Sequence, residues 1–202
     1  MLNSVIVRFI ESIKLKNGKI YHLSYHQKRV EKTFLTMFSN FNVLNLEHEL
    51  QKIALPPIGL YKIRLEYDHT SYKIEIFPYQ IKTIRTIQII HCDTISYPFK
   101  STNRAIFSEL KNRSFADEII IIKNGLVTDT SFSNLVFYKE NQWFTPNSFL
   151  LNGTCRKRLL FERKIQQKPI KQTDIKYFEK IGIINAMIDL GEVQMVNPFI
   201  SN

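Results

Sequence analysis

The chain is poor in cysteine: Cys92 and Cys155 are the only two in 202 residues. They are able to pair, but nothing in the sequence demands it, so a reduced, cytoplasmic setting is the expectation. Long apolar runs are missing as well. The longest candidate, Ile119 to Ile122, is strand-sized, against the roughly 18–20 residues that a membrane span needs. Near the N-terminus Arg8, Glu11 and Lys14 break the apolar stretch, and neither a basic head nor a small-residue cleavage site is present. No secretory leader is expected there. Internal repeats and low-complexity tracts are also absent. Acidic residues are in deficit, 18 Asp and Glu against 28 Lys and Arg, for a net charge of +10. A basic excess raises the question of nucleic-acid binding. Here the cations are dispersed, with no block of five or six; the densest cluster is Arg156, Lys157, Arg158, Arg163, Lys164, Lys168 and Lys171. Attraction of an anionic substrate or cofactor, or plain solubility, accounts for the same charge with fewer assumptions.

What is present is ordinary globular composition, 44% hydrophobic and 23% charged, with length enough to bury a core in one domain or two small ones. Val5 to Ile13 reads as a strand, and Asn17-Gly18 turns it into Lys19 to Leu23 as a hairpin. Ser24 is placed to cap a helix over Tyr25 to Phe38, with Val30, Phe34, Met37 and Phe38 at helical spacing. Leu46 to Ile53 reads as a second helix, stopped by Pro56-Pro57. Strands follow at Tyr61 to Tyr67, Ser71 to Pro78 and Thr86 to His91. Beyond Lys100 the pattern predicts a helix over Arg104 to Arg113 and strands at Glu118 to Lys123 and Leu126 to Thr128 around Asn124-Gly125. A strand pair, Asn134 to Tyr138 and Gln142 to Thr145, comes next. A helix over Thr154 to Gln166 and a last α-β element, Asp174 to Lys180 and Ile183 to Ile188, complete the pattern. The expected class is α+β in two lobes, residues 1–85 and 86–202.

Several segments carry chemistry. His26 and Arg29 lie three apart and share one helix face, and a guanidinium fork suits a phosphate dianion; taken alone, Arg29 equally fits a surface arginine. Lys100 stands in Tyr97-Pro98-Phe99-Lys100-Ser101-Thr102-Asn103-Arg104, and by itself it is one lysine among many. Ala116-Asp117-Glu118 leads into the isoleucine strand, then Asn124-Gly125, then Thr128-Asp129-Thr130-Ser131-Phe132-Ser133-Asn134. Trp143-Phe144-Thr145-Pro146 precedes Leu150-Leu151-Asn152-Gly153-Thr154-Cys155-Arg156. There a glycine before a helix lets backbone N–H groups face an anion, reinforced by the helix dipole. Ile184-Asn185-Ala186-Met187 and Gly191-Glu192-Val193 come last.

In this order the segments resemble the class IV aminotransferases, the pyridoxal-phosphate family that includes branched-chain and D-amino acid aminotransferases and aminodeoxychorismate lyase. The resemblance runs from Glu11 to Val193 and implies a two-lobed fold like that of D-amino acid aminotransferase, with the cofactor between the lobes and a homodimer. It implies that Lys100 forms the Schiff base, because only a primary amine gives an imine that a substrate amine can exchange. It also implies Arg29 on the phosphate, Asp129 on the pyridine nitrogen with Asn134 beside it, and Thr154, Cys155, Asn185 and Ala186 around the phosphate. Tyr97 and Arg104 flank the lysine, Arg104 either lowering its pKa or meeting a substrate carboxylate. Four departures stand out. Asp129 replaces the usual glutamate, Cys155 a frequent threonine and Ala186 a small hydroxyl residue, and the usual proline is missing beside Glu192-Val193. The chain is also shorter than typical members, mainly in the first lobe. Three readings follow: a lyase that releases pyruvate and 4-aminobenzoate, towards which the short first lobe and the Asn185-Ala186-Met187 ending lean; a D-amino acid or branched-chain transaminase; or a catalytically silent member acting as a binding protein. No metal is expected.

Overall fold

Alternation builds the first sheet in the computed structural model, which describes residues 7–39 and 42–199. In β1 (Phe9–Lys16) Phe9, Glu11, Ile13 and Leu15 share the buried face, while positions from Ser12 on the other face reach solvent. Val5, where the strand is expected to begin, lies outside the described residues. Asn17 and Gly18, at φ of 49° and 74°, turn the chain into β2 (Lys19–Ile20) as the Asn-Gly pair predicts. β3 (Leu60–Tyr67) pairs antiparallel with β1, setting Glu11 opposite Leu65 and Ile13 opposite Ile63, and β4 (Tyr72–Pro78) completes the order β2-β1-β3-β4. Helix α1 (Leu23–Thr33) and α2 (Leu46–Gln51) cover the sheet, with Val30, Phe34, Leu46 and Leu50 packed on Ile13, Leu15, Ile63 and Leu65.

Two details differ from the expectation. Ser24 lies inside α1, which starts at Leu23 with no side-chain cap. The hairpin bond from Tyr21 N to Lys14 O holds the chain until that point, and His22 makes the bend in the left-handed region at φ 56°. Phe34–Phe38 winds as a wider π turn, which rotates Met37 off the apolar face and leaves it 43% exposed.

The first compact unit runs to Gln80 and takes back Phe99–Asn103; the second is Ile81–Pro98 with Arg104–Asn202. In the first, Phe99–Asn103 runs along the end of β1, with Ile10 N donating to Lys100 O at 2.8 Å and Thr102 N to Arg8 O at 2.8 Å.

In the second unit a three-stranded sheet is ordered β5 (Ile87–His91), β6 (Glu118–Lys123), β7 (Leu126–Val127), with β5 and β6 parallel and α3 (Ala105–Asn112) between them in sequence. Ile119 to Ile122 are fully buried on both faces, which is why this strand reads as a continuous apolar run. A five-stranded sheet holds β8 (Asn134–Lys139), β9 (Gln142–Pro146), β10 (Gln166–Lys168), β11 (Lys180–Ile184) and β12 (Gln194–Val196) in the order β10-β9-β8-β11-β12. Helix α4 (Thr154–Phe161) packs Cys155 and Leu159 against Val136, Ile165 and Ile184.

The expected helix to Gln166 stops five residues early. Arg163 turns left-handed at φ 56° and Lys164 N bonds Leu159 O, a closure that carries Ile165 into the core and frees β10 to pair with β9. Among the described residues no helix is long and apolar enough to cross a membrane.

Candidate functional site

In the second unit Thr128 and Asp129 continue from β7 along β6. Thr128 N donates to Ile121 O, and Ile121 N donates to Asp129 O, each at 2.9 Å. This fixes Asp129 with its carboxylate inside. Asn134 Nδ2 donates to its Oδ1 at 2.8 Å, and the Leu150 and Leu151 amides donate to its Oδ2 at 3.0 and 2.9 Å. Burial pushes this carboxyl up to about 6, even though the three N–H donors and the nearby Arg156 charge favour the anion. Asn134 also donates to Leu151 O at 2.8 Å. Its Oδ1 lies so close to Gly153 that a Cβ there would stand 2.2 Å away. Gly153 has ordinary extended backbone (φ −62°, ψ 150°), so the requirement for glycine is steric alone. Asp129, Asn134 and the start of α4 are therefore one interlocked unit.

That helix starts without a side-chain cap. Among the described residues the Thr154 amide makes no hydrogen bond, and neither does the amide of Ala186. Cys155 ties the first turn of α4 to the 185–189 turn. Its Sγ lies 3.8 Å from Ile188 O and 3.9 Å from Asp189 Oδ1, and Arg158 donates to it at 3.7 Å. Asn185 folds that turn: its Oδ1 accepts from Met187 N at 2.8 Å and Ile188 N at 3.0 Å, while Nδ2 donates to Ser133 Oγ at 2.8 Å. Two segments tied by these side chains thus each keep an amide unspent, Thr154 with the helix dipole behind it. A buried carboxylate whose burial cost the protein does not fully offset matches a cationic pyridinium, and unspent amides match a phosphate. The donor set fits pyridoxal phosphate.

Lys100 and Arg29 belong to the first unit. The register of β1 drives Glu11 inward with no water to solvate it, and α1 answers with two partners. Arg29 Nε donates to Glu11 Oε1 at 2.7 Å and its Nη2 to Oε2, while His26 Nδ1 meets Oε2 at 2.6 Å. Burial works to raise the Glu11 carboxyl, but Arg29 and His26 override it and hold it at about 2. Burial also lowers His26, with the Arg29 and Lys100 charges adding to that and Glu11 opposing it. A neutral imidazole facing a carboxylate must carry its proton on Nδ1, which leaves the lone pair on Nε2. Arg29 is therefore an arginine fixed by a buried acid, and the surface alternative is excluded.

Tyr97 and Arg104 meet in the second unit. Arg104 Nη1 donates to the Tyr97 hydroxyl at 3.2 Å, and Nη2 donates to the Ser131 carbonyl within the turn between Asp129 and Asn134. A cavity of about 360 Å³ lies beside Tyr97, walled also by Pro98, Lys123, Thr128 and Phe149.

The family model described as amino-transferase class IV matches residues 94–196. An uncharacterized protein of Haemophilus influenzae is 40% identical over 186 residues, 88% of this chain and 96% of that protein. The chain belongs to the class IV aminotransferase family. Within that family it is similar to a candidate 4-amino-4-deoxychorismate lyase from Haemophilus somnus, with 35% identity and a TM-score of 0.84 over 91% of this chain and 98% of that one. An aminotransferase from Brucella abortus, solved bound to pyridoxal phosphate, shares the fold at 20% identity and a TM-score of 0.67, over 94% and 79% of the two chains. The α+β architecture expected from the segments is the architecture of this family.

Two buried acids have partners that the sequence motifs do not assign. Glu11 stands in a matching segment, and an acidic residue in phase with Phe9, Ile13 and Leu15 is a legible signal of a buried, paired carboxylate. Glu118 is similarly buried, accepting from the Ser131 amide at 3.0 Å and its hydroxyl at 2.9 Å; standing directly after Asp117, it reads as part of a polar strand entry.

Proposed function

We propose that this chain is a pyridoxal-phosphate-dependent lyase of the aminodeoxychorismate lyase type, cleaving an amino-chorismate substrate to pyruvate and 4-aminobenzoate. The observation that carries the reading is the near full-length likeness to the Haemophilus somnus protein. The interlocked Asp129–Asn134–Gly153 group supports it.

Lys100 supplies the primary amine that would hold the cofactor, and the same amine would take and return a proton. The chemistry the cofactor would supply when bound is an electron sink for the substrate. Asp129, held in place by Asn134 and the Leu150 and Leu151 amides, would pair with the pyridine nitrogen. That pairing would favour ionised Asp129 against its burial penalty. The amides of Thr154, Cys155 and Ala186 are the second unit's candidates for holding the phosphate, and Arg29 is the first unit's. Asn185 acts through the turn it folds, and Cys155 contributes its backbone while its thiol fastens α4. The reading carries with it a homodimer in the cytoplasm.

Purified protein titrated with pyridoxal phosphate is expected to develop the near-visible band of the linked cofactor, and Lys100→Ala is expected to lose it. Aminodeoxychorismate should then yield pyruvate, with Lys100→Ala slower by on the order of 10²–10⁴-fold. Amino-group transfer from D-alanine or branched-chain amino acids without pyruvate release would replace the lyase by a transaminase. A wild-type spectrum unchanged by cofactor would leave a silent binding protein.

A further inference from the structure

Arg104 is held from several directions. Besides its bonds to the Tyr97 hydroxyl and the Ser131 carbonyl, its guanidinium carbon lies 4.6 Å from the Phe107 ring centroid and 5.4 Å from that of Tyr97. The two rings are buried and meet edge to face at 4.9 Å. Ser131, which anchors Nη2, is itself fixed by buried Glu118 through its amide and its hydroxyl. Glu118 spends its oxygens on Ser131 and the Ile119 amide and forms no ion pair with Arg104.

A guanidinium has five N–H donors, and the protein engages two of them here. One donor on each nitrogen is left on a cation that is half-buried and, among the described residues, has no carboxylate partner. Arg156 shows the contrast. It is 1% exposed, stacks on Phe149 at 4.3 Å, and bonds Asn152, Pro146 and Gln167, so it serves the packing of the 146–152 loop. Arg104 is too tightly fixed for a solvated surface arginine and too sparsely bonded for a structural one. A pre-set, partly desolvated fork with unspent donors is complementary to a carboxylate. Nη2 ties it to the turn between Asp129 and Asn134 through the Ser131 carbonyl, and its other partner, Tyr97, lines the 360 Å³ cavity.

We infer that Arg104 holds a carboxylate of the substrate, with Tyr97 and Phe107 fixing its plane and the Glu118–Ser131 contact fixing its rotation. The inference rests on the lyase reading for the identity of the substrate, which carries one carboxylate on its ring and one on its enolpyruvyl group. The products separate the two sources, because 4-aminobenzoate keeps the first and pyruvate the second.

The test uses the pyridoxal-phosphate-loaded enzyme and calorimetric titration with 4-aminobenzoate, with aniline as its carboxylate-free counterpart, and with pyruvate. Wild type is expected to bind one of the two carboxylates, and aniline poorly. Arg104→Met should weaken that carboxylate and raise KM about 10- to 100-fold, the range for a charged hydrogen bond, with kcat changed less. Arg104→Lys should restore part of the loss, and both variants should keep the near-visible cofactor band. If the band is intact and Arg104→Met binds both carboxylates as wild type does, the inference fails and the lyase reading stands. If wild type never forms the band, the lyase reading fails on its own. Should Arg104→Met not fold, equal binding of 4-aminobenzoate and aniline by wild type together with undiminished pyruvate binding by Arg104→Lys would overturn the inference.

Discussion

Gly153→Ala tests whether the site is one interlocked body. The backbone at Gly153 is ordinary for any residue (φ −62°, ψ 150°), so the substitution introduces no dihedral strain. It does place a Cβ 2.2 Å from Asn134 Oδ1, a side-chain amide wedged between Asp129 and Leu151. Asn134 must then swing out or the start of α4 must move. Swinging out forfeits the bond to the Asp129 carboxyl, worth about 1.5–3 kcal/mol, and the bond to Leu151 O, worth about 0.5–1.5 kcal/mol. Moving the helix is an overpacking response with a cost of about 1–3 kcal/mol. The two routes together predict a loss of roughly 1–4 kcal/mol, read by urea unfolding with an unchanged m-value. In a chain of this length that is a fall in Tm of roughly 2–16 °C. The decisive arm is the double-mutant cycle with Asn134→Ala, which removes the clash and the bonds together. In that background Gly153→Ala should cost less than about 1 kcal/mol, the N-cap preference for glycine over alanine. Additive losses, or a Gly153→Ala protein as stable as wild type, would refute the interlock.

Asp129→Asn is expected to change the pH profile of the cofactor-free protein. The folded value of about 6 lies above the unfolded value near 3.8, so the native state binds more protons between pH 4 and 6 and stability falls as pH rises through that window. The penalty is complete above pH 6 at about 3 kcal/mol, and the asparagine variant should show a flatter profile when unfolding is followed at several pH values. Glu11 has the opposite sign. Its folded value of about 2 lies below its unfolded one near 4.5, so its contribution is present above pH 4.5 and is lost as pH falls towards 2. Glu11→Ala strands Arg29 and should cost about 3–5 kcal/mol at neutral pH in chemical denaturation; a loss under 1 kcal/mol would mean that Arg29 finds another partner. Weakened pyridoxal-phosphate affinity in a folded Glu11→Gln protein would extend the role of Glu11 to positioning Arg29.

What the sequence makes legible here depends on whether the determining force is local. Asn17-Gly18 and Asn124-Gly125 specify their turns because residues that tolerate positive φ are needed at those points and nowhere else nearby. The strands of the first sheet follow from period-two alternation, and the isoleucine run of β6 from burial on both faces. Where the outcome depends on a contact distant in sequence, local reading overshoots. The residues 162–166 have every helical propensity, yet burying Ile165 and pairing β10 with β9 is worth more than another turn of exposed Lys and Gln. The site divides along the same line. Asp129, Asn134 and Gly153 are visible as motif positions. That a glycine is required because an asparagine amide 19 positions earlier occupies its Cβ space exists only in three dimensions. The same holds for Arg29, whose residue type suits a surface helix as well as an anion site. Only the register of β1, which turns Glu11 inward onto it, makes it a fixed and buried cation.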